Sequence, residues 1–380
     1  NYNIAVGSQA LEANTTGTQN TSVGHQSLHS NTTASSAVAI GYRALEANTT
    51  GAENIAIGAW CLDANTTGGA NTAIGVSALG KNTTANSNVA IGYDALKENT
   101  TGANNTAVGK NALDSCSTSS NNTCVGQNAG GGITTGNGEN VCVGNNAGAG
   151  ITTGQQNIVI GDNACAGGTL TGTTNVVIGD NAGYNLSTGT ANTALGYRTL
   201  TSNTTANHNT ALGYEALAAN TTGTQNAAVG SYALDANTTG SWNTAVGYWA
   251  LTANTTGQTN TAIGRAALKT NSTGLDNCAM GHESLFANTT GNYNVSLGRG
   301  ALYANTTGGS NVAVGQQVLQ AVTTGNNNVG VGYAAGLDIT TGSSNVCLGI
   351  NAGRGQITTG TGHLYIARDN TAKNNTTTWI

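Results

Sequence analysis

The sequence predicts an all-β fold, a β-solenoid (β-roll) of about 22 coils with a 17-residue repeat. Three observations predict it. One unit recurs along nearly the whole chain. Each unit carries a run of only three small or β-branched residues closed by glycine. The composition suits stacked turns, with 56 glycines, no proline and 7% charged residues.

The period is read from the glycine that follows the apolar run. It falls at Gly7, Gly24 and Gly41 and continues to Gly332 and Gly349. The interval is 17 residues, except for 18 from Gly126 to Gly144 and from Gly161 to Gly179. A last, degraded copy places Ala367 in the glycine position. The segment Asn243–Thr259 is representative: Asn-Thr-Ala-Val-Gly-Tyr-Trp-Ala-Leu-Thr-Ala-Asn-Thr-Thr-Gly-Gln-Thr. Its residues define coil positions one to seventeen. A unit this short cannot bury a face alone and must stack on its neighbours. A helix of ordinary length does not fit between the glycines, whereas a short strand bounded by turns does. At the spacing of paired strands, the stack is a rod on the order of 105 Å. Residues 1–362 are expected to form this shaft. Residues 363–380 are expected to form a C-terminal strand or exit segment leading to a further domain. The chain opens mid-repeat without a methionine or signal sequence, as expected of a segment of a longer or processed protein.

Glycine supplies turn conformations that other residues find costly. The absence of proline suits a backbone whose donors are used in ladders between coils. The net charge of −5 is thinly spread and offers no footprint for nucleic acid or an anionic membrane. No apolar run is long enough to insert in a bilayer.

Position four is Val, Ile or Leu throughout, with Met280 the exception, and is expected to face the core. Position two shares that face by strand alternation. Position three then points outward, yet it is almost always alanine. One reading is that a cramped coil tolerates only small residues there. The other is that three parallel copies pack their alanine stripes together, making Ala211, Ala228, Ala245, Ala262 and Ala279 an oligomer interface.

Positions nine and twelve exchange volume. Most coils pair Leu with Asn, as in Leu251 with Asn254. Others pair Gly with a branched aliphatic: Gly130 with Ile133, Gly148 with Ile151, Gly183 with Leu186, Gly336 with Ile339 and Gly353 with Ile357. Compensation of this kind places both positions in one interior corner. The usual asparagine at twelve therefore points inward and stacks into an amide ladder. Thirteen of these asparagines match the N-glycosylation acceptor pattern, Asn14 and Asn254 among them, but an inward side chain cannot carry a glycan.

No catalytic, cofactor or metal constellation emerges, so the chain is read as a non-enzyme without cofactors. His25 and His29 are four apart but not on a helix. Asp162 and Asp180 share a column, as solvated turn residues do. Seven cysteines make no framework and behave as small apolar residues. Cys124 and Cys142 fall on adjacent coils, where a disulfide is one arrangement open to them. Aromatic residues cluster at positions six and seven. Tyr197, Tyr214, Tyr232, Tyr248 and Trp249 form a patch that either contacts glycans or covers the coil edge.

The unit Asn-Thr-Ala-Val-Gly-Tyr-x-Ala-Leu-x-x-Asn-Thr-Thr-Gly resembles the β-roll repeats of phage tail fibres. It is also similar to, though longer than, the head repeats of trimeric autotransporter adhesins. The break at His363-Leu364-Tyr365-Ile366-Ala367-Arg368-Asp369-Asn370, followed by Thr376-Thr377-Thr378-Trp379-Ile380, resembles the exit into a C-terminal intramolecular chaperone. That resemblance implies a homotrimeric shaft of a viral tail fibre, located on the virion or at an extracellular surface and holding receptor-binding parts away from the virion. An adhesin head and a free extracellular filament are the competing roles. An ice-binding solenoid is a further one, suggested by the paired threonines at thirteen and fourteen.

Overall fold

A computed structural model describes residues 2–356 and 358–367. It is an all-β parallel solenoid in which the 17-residue unit makes one turn. The chain divides into two compact units, Asn1–Asn192 and Thr193–Ile380. Among the described residues each unit contains eleven strands of three residues, from Ile4–Val6 to Val176–Ile178 in the first and from Thr193–Leu195 to Leu364–Ile366 in the second. Within a unit, every strand pairs in parallel with the next one in sequence, like position on like position. Thr210–Leu212, Ala227–Val229, Thr244–Val246 and Thr261–Ile263 follow this register without a slip. The 18-residue coils keep it too, since Thr123–Val125 pairs directly with Val141–Val143. The ladder runs beyond residue 362, because Leu364–Ile366 pairs in register with Val346–Leu348.

The strand faces are the reverse of those expected from side-chain size. Position three is the buried one. Ala211, Ala228, Ala245, Ala262 and Ala279 are all 0% exposed within a single chain. They are interior residues, not an interface between copies. Positions two and four point out, and Ile40, Leu212 and Met280 are 39%, 41% and 45% exposed. The physical reason is the width of the coil. Leucine at position nine enters from the opposite wall and is fully buried, as are Leu217, Leu234, Leu251 and Leu268. Alanine at position eight is buried beside it. Opposite such a leucine the strand side has room for alanine or serine, and the larger Cys124, Cys142, Val159 and Val177 are buried at position three where position nine is Gly or Cys. The β-branched residues of positions two and four go outside, where they still suit an extended backbone.

The expected exchange between positions nine and twelve is seen directly. A Cβ on Gly130 would lie 3.1 Å from Ile133 Cδ1, and one on Gly336 would lie 3.1 Å from Ile339 Cδ1. Ile133, Ile151, Leu186 and Ile339 fill the interior corner and are buried. Ile357 lies outside the described residues.

The asparagines at twelve form the expected ladder. Asn254 Nδ2 donates to Asn237 Oδ1 at 2.9 Å and to Gly257 O at 3.0 Å, and Asn271 Nδ2 donates to Asn254 Oδ1 at 2.9 Å. Asn14 is partly exposed; the other twelve acceptor-pattern asparagines at this position are buried. Where the column changes to Val322, the preceding Asn305 Oδ1 is left without a hydrogen bond. Burial predicts that Asn254 carries no glycan even in a glycosylating host. Mass spectrometry of its glycopeptide is expected to find the site unoccupied, and occupancy there would contradict the fold.

A second ladder stands at position one. Asn243 Nδ2 donates to Asn226 Oδ1 at 3.2 Å and to Gly257 O at 2.9 Å, and its Oδ1 accepts from the Asn260 amide at 3.0 Å. The two ladders therefore meet on one carbonyl, that of position fifteen. Glycine at position five is required sterically. Gly247 has φ of 134°, and a Cβ there would lie 2.7 Å from the Gly264 carbonyl carbon.

Candidate functional site

Six of the seven cysteines are buried, and Cys278 is half-buried. Cys124 and Cys142 are register partners on adjacent strands, yet both are free thiols, as are the other five cysteines. Burial pushes the Cys61 and Cys116 thiols up to about 12 and the Cys124 thiol well above its ordinary value. Such thiols are poor nucleophiles. Among the described residues no three His, Cys, Asp or Glu side chains converge as a metal would need. His25 stacks on Tyr42 at 5.6 Å, whereas His29 Nδ1 lies 3.3 Å from Glu12 Oε2. The two histidines have separate partners. Asp162 accepts from Asn145 at 2.9 Å, and Asp180 accepts from Asn181. The threonines at position thirteen serve the turn, as Thr255 Oγ1 donates to Ser272 O at 3.1 Å.

The surface has three features built from columns. The first is the outward strand face. Position four is aliphatic in every coil apart from Met280, and position two is aliphatic or threonine in most. In-register pairing converts these into two continuous rows in each unit. Soluble monomers rarely expose contiguous apolar patches beyond a few hundred Å².

The second feature is aromatic. The structure brings together all five residues of the predicted patch. Tyr197 and Tyr214 stack at 5.2 Å with 19° between planes. Tyr232 meets Tyr214 edge-on at 5.2 Å and Tyr248 at 6.2 Å. Tyr248 lies 4.3 Å from Trp249. The ribbon then continues through residues that positions six and seven do not contain. Lys269 Nζ sits 4.1 Å over the Trp249 ring and 5.6 Å from Phe286, and Phe286 stacks on Tyr303 at 5.1 Å. These last three occupy position ten, which faces position seven across the turn. A reading confined to one column misses them; the signal was a lysine and two aromatics in consecutive copies of position ten. Tyr197, Tyr214 and Tyr248 remain 39%, 43% and 41% exposed.

The third feature is a socket beside the ribbon, lined by Arg198, Thr201, Ser202, Glu215, Ala218 and Asp235, with a volume of about 300 Å³. It opens where position ten of the middle coil is only alanine. Arg198 Nη1 lies 3.6 Å from Glu215 Oε1. Burial raises the Asp235 carboxyl to about 6; the Ala236 amide opposes the shift and Glu215 adds to it. Asp235 Oδ1 is shielded from solvent and accepts no hydrogen bond.

No protein-family model matches the chain, and no curated protein matches it in sequence. The arrangement of columns therefore carries the functional reading.

Proposed function

We propose that this chain is a structural shaft of the viral tail-fibre kind, a non-enzymatic spacer built from parallel copies of itself and displayed outside the cell. The observation that carries the reading is the outward strand face. Two rows of largely aliphatic side chains run along each unit at a place where the fold does not need them. A second copy is the occupant that suits them, because its own rows repeat at the same spacing and are equally uncharged. Three copies around one axis would cover every row, the arrangement that the resemblance to tail-fibre repeats implies. Side-by-side ladders would give the shaft stiffness, and the number of coils would set its length. The aromatic ribbon around Tyr197, Tyr214, Tyr232, Tyr248 and Trp249 is the place proposed for contact with host-surface glycans.

The test is the mass of the native particle with and without charge on the strand face. Light scattering of the purified chain is expected to give three times the 37.6 kDa chain mass. The double variant Val246→Asp with Ile263→Asp is expected to keep its β-sheet circular dichroism and lose that association. A wild-type particle of one chain mass would remove the fibre reading, since the exposed rows would then have no self-partner.

A further inference from the structure

The geometry points to a specific seam between parallel copies: the column at position seventeen of one chain lies against the column at position six of the next, with Arg299 of one copy set between Asp276 and Tyr293 of its neighbour. This seam rests on the reading above that copies associate through the outward strand face, and it names which borders of that face meet.

Strand alternation sets the columns of the face. Positions one and three point inward, so positions seventeen, two, four and six point outward as four neighbouring columns. Asp276, Cys278, Met280 and His282 make one such row, around the buried Asn277 and Ala279. Positions two and four are the largely aliphatic rows, and positions seventeen and six are the borders. In the second unit the borders differ in charge. Position seventeen carries one acid, Asp276, and no lysine or arginine. It also carries Trp242 and Tyr293, which are 53% and 59% exposed. Position six carries Arg265, His282 and Arg299 in three consecutive coils, and no acid among the described residues. Arg265 Nη1 already lies 3.7 Å from Glu283 Oε1. Asp276 and Arg299 are both exposed, and among the described residues neither makes an ion pair within its own chain.

Symmetry decides which columns can meet when identical faces pack together. Rotation about an axis along the stack, twofold or threefold, keeps every coil at its own level and brings position seventeen of one copy to position six of the next. Rotation about an axis across the stack reverses one copy and sets each column against itself. The second arrangement offers Asp276 no cation, because its own column has none in this unit. The charges therefore select the parallel arrangement. Tyr293 and Arg299 belong to one coil, and Asp276 lies one coil before, about 4.8 Å along the stack. A guanidinium spans that interval: its fork suits the carboxylate, and its plane suits the ring. Trp242 and Tyr248 also belong to one coil, so the same seam sets Trp242 beside the partner's Tyr248 at the edge of the aromatic ribbon. The first unit lacks the match, since its column six mixes Lys110 with Asp162 and Asp180.

The test uses the whole chain with Cys278→Thr, threonine being common in that column. The other six cysteines are buried. In this background Asp276→Cys together with Arg299→Cys is treated with a short bis-maleimide. Covalently joined chains are expected on a denaturing gel from the pair, and single chains from either substitution alone. Joining by a single variant as efficient as by the pair would mean that like columns meet, and would overturn the seam. Without cross-linker, Arg299→Asp is expected to weaken association at least tenfold in analytical ultracentrifugation, and the exchange of Asp276→Arg with Arg299→Asp to recover most of that loss. Association that persists while the cysteine pair stays unjoined, or an exchange no better than Arg299→Asp alone, would overturn the seam and leave the fibre reading in place. A wild-type particle of one chain mass would overturn both.

Discussion

Ala245→Asp is expected to unfold the coils around it. The methyl group of Ala245 stands in register between Ala228 and Ala262, all fully buried. A carboxylate there is an unpaired charge in an interior that has no space for it. Overpacking and an uncompensated buried charge together should cost about 5 kcal/mol or more. Stacked repeats couple mainly to their neighbours, so the loss should propagate over adjacent coils before it fades. Limited proteolysis should show new cleavage clustered near residue 245, with reduced β-sheet signal. Val246→Asp is the matched control, one residue away on the outward face. It should change the stability of a single chain by less than about 1 kcal/mol. If Ala245→Asp folded as well as the control, the inward alanine column would be wrong.

Asn243→Ala should be the next most damaging change, for a different reason. The cavity is small, but Asn243 Oδ1 accepts from both the backbone amide and the Nδ2 of Asn260, at 3.0 and 3.2 Å. Asn260 Nδ2 keeps its bond to Gly274 O at 2.8 Å, whereas its buried backbone N–H loses its acceptor. Gly257 O keeps Asn254 as a donor. One orphaned amide and the lost side-chain bonds should together cost about 3 kcal/mol. Amide hydrogen exchange at Asn260 should accelerate far more than exchange at residues several coils away. Unchanged exchange at Asn260 would mean that the ladder does not hold the turn.

Much of this fold could be read from spacing. The glycine interval locates every strand, and the compensation between Gly130 and Ile133 places the asparagines of position twelve inside. The strand face could not be read from residue size. Large aliphatic side chains usually mark a core, but Leu251 fills this narrow coil from the far wall and leaves room only for a small side chain such as Ala245 opposite. The relation becomes visible only once the chain is closed into a turn. The ladder at position one left a signal in the near-invariant asparagine of that column, of which Asn243 is one. The backbone was also hidden. Trp249, Leu251 and Thr259 have φ of 59°, 54° and 57°, in the left-handed region that such residues avoid at about 1–2 kcal/mol each. Each is held by an amide bond to a neighbouring coil: Trp249 to Ser231, Leu251 to Ala267 and Thr259 to Ser241. No local propensity announces this. Of the candidate sites, the five aromatic residues were legible as columns. The Ala218 socket was not, because it is defined by a missing side chain between two coils that only stacking brings together.

The direction of the asparagine bonds has an electrical meaning. In both ladders the amide nitrogen donates to the coil before it, as Asn243 does to Asn226 and Asn254 to Asn237. Backbone bonds alternate in direction, since Trp249 donates backward and Leu251 forward, so their dipoles largely cancel, as in other sheets. The side-chain amides do not cancel. Each polarises the next in the row, and their moments add along the stack. Each unit is therefore polarised along its axis as an α-helix is, with its positive pole at the first coil and its negative pole at the last. Copies aligned in parallel would bring like poles together at each end.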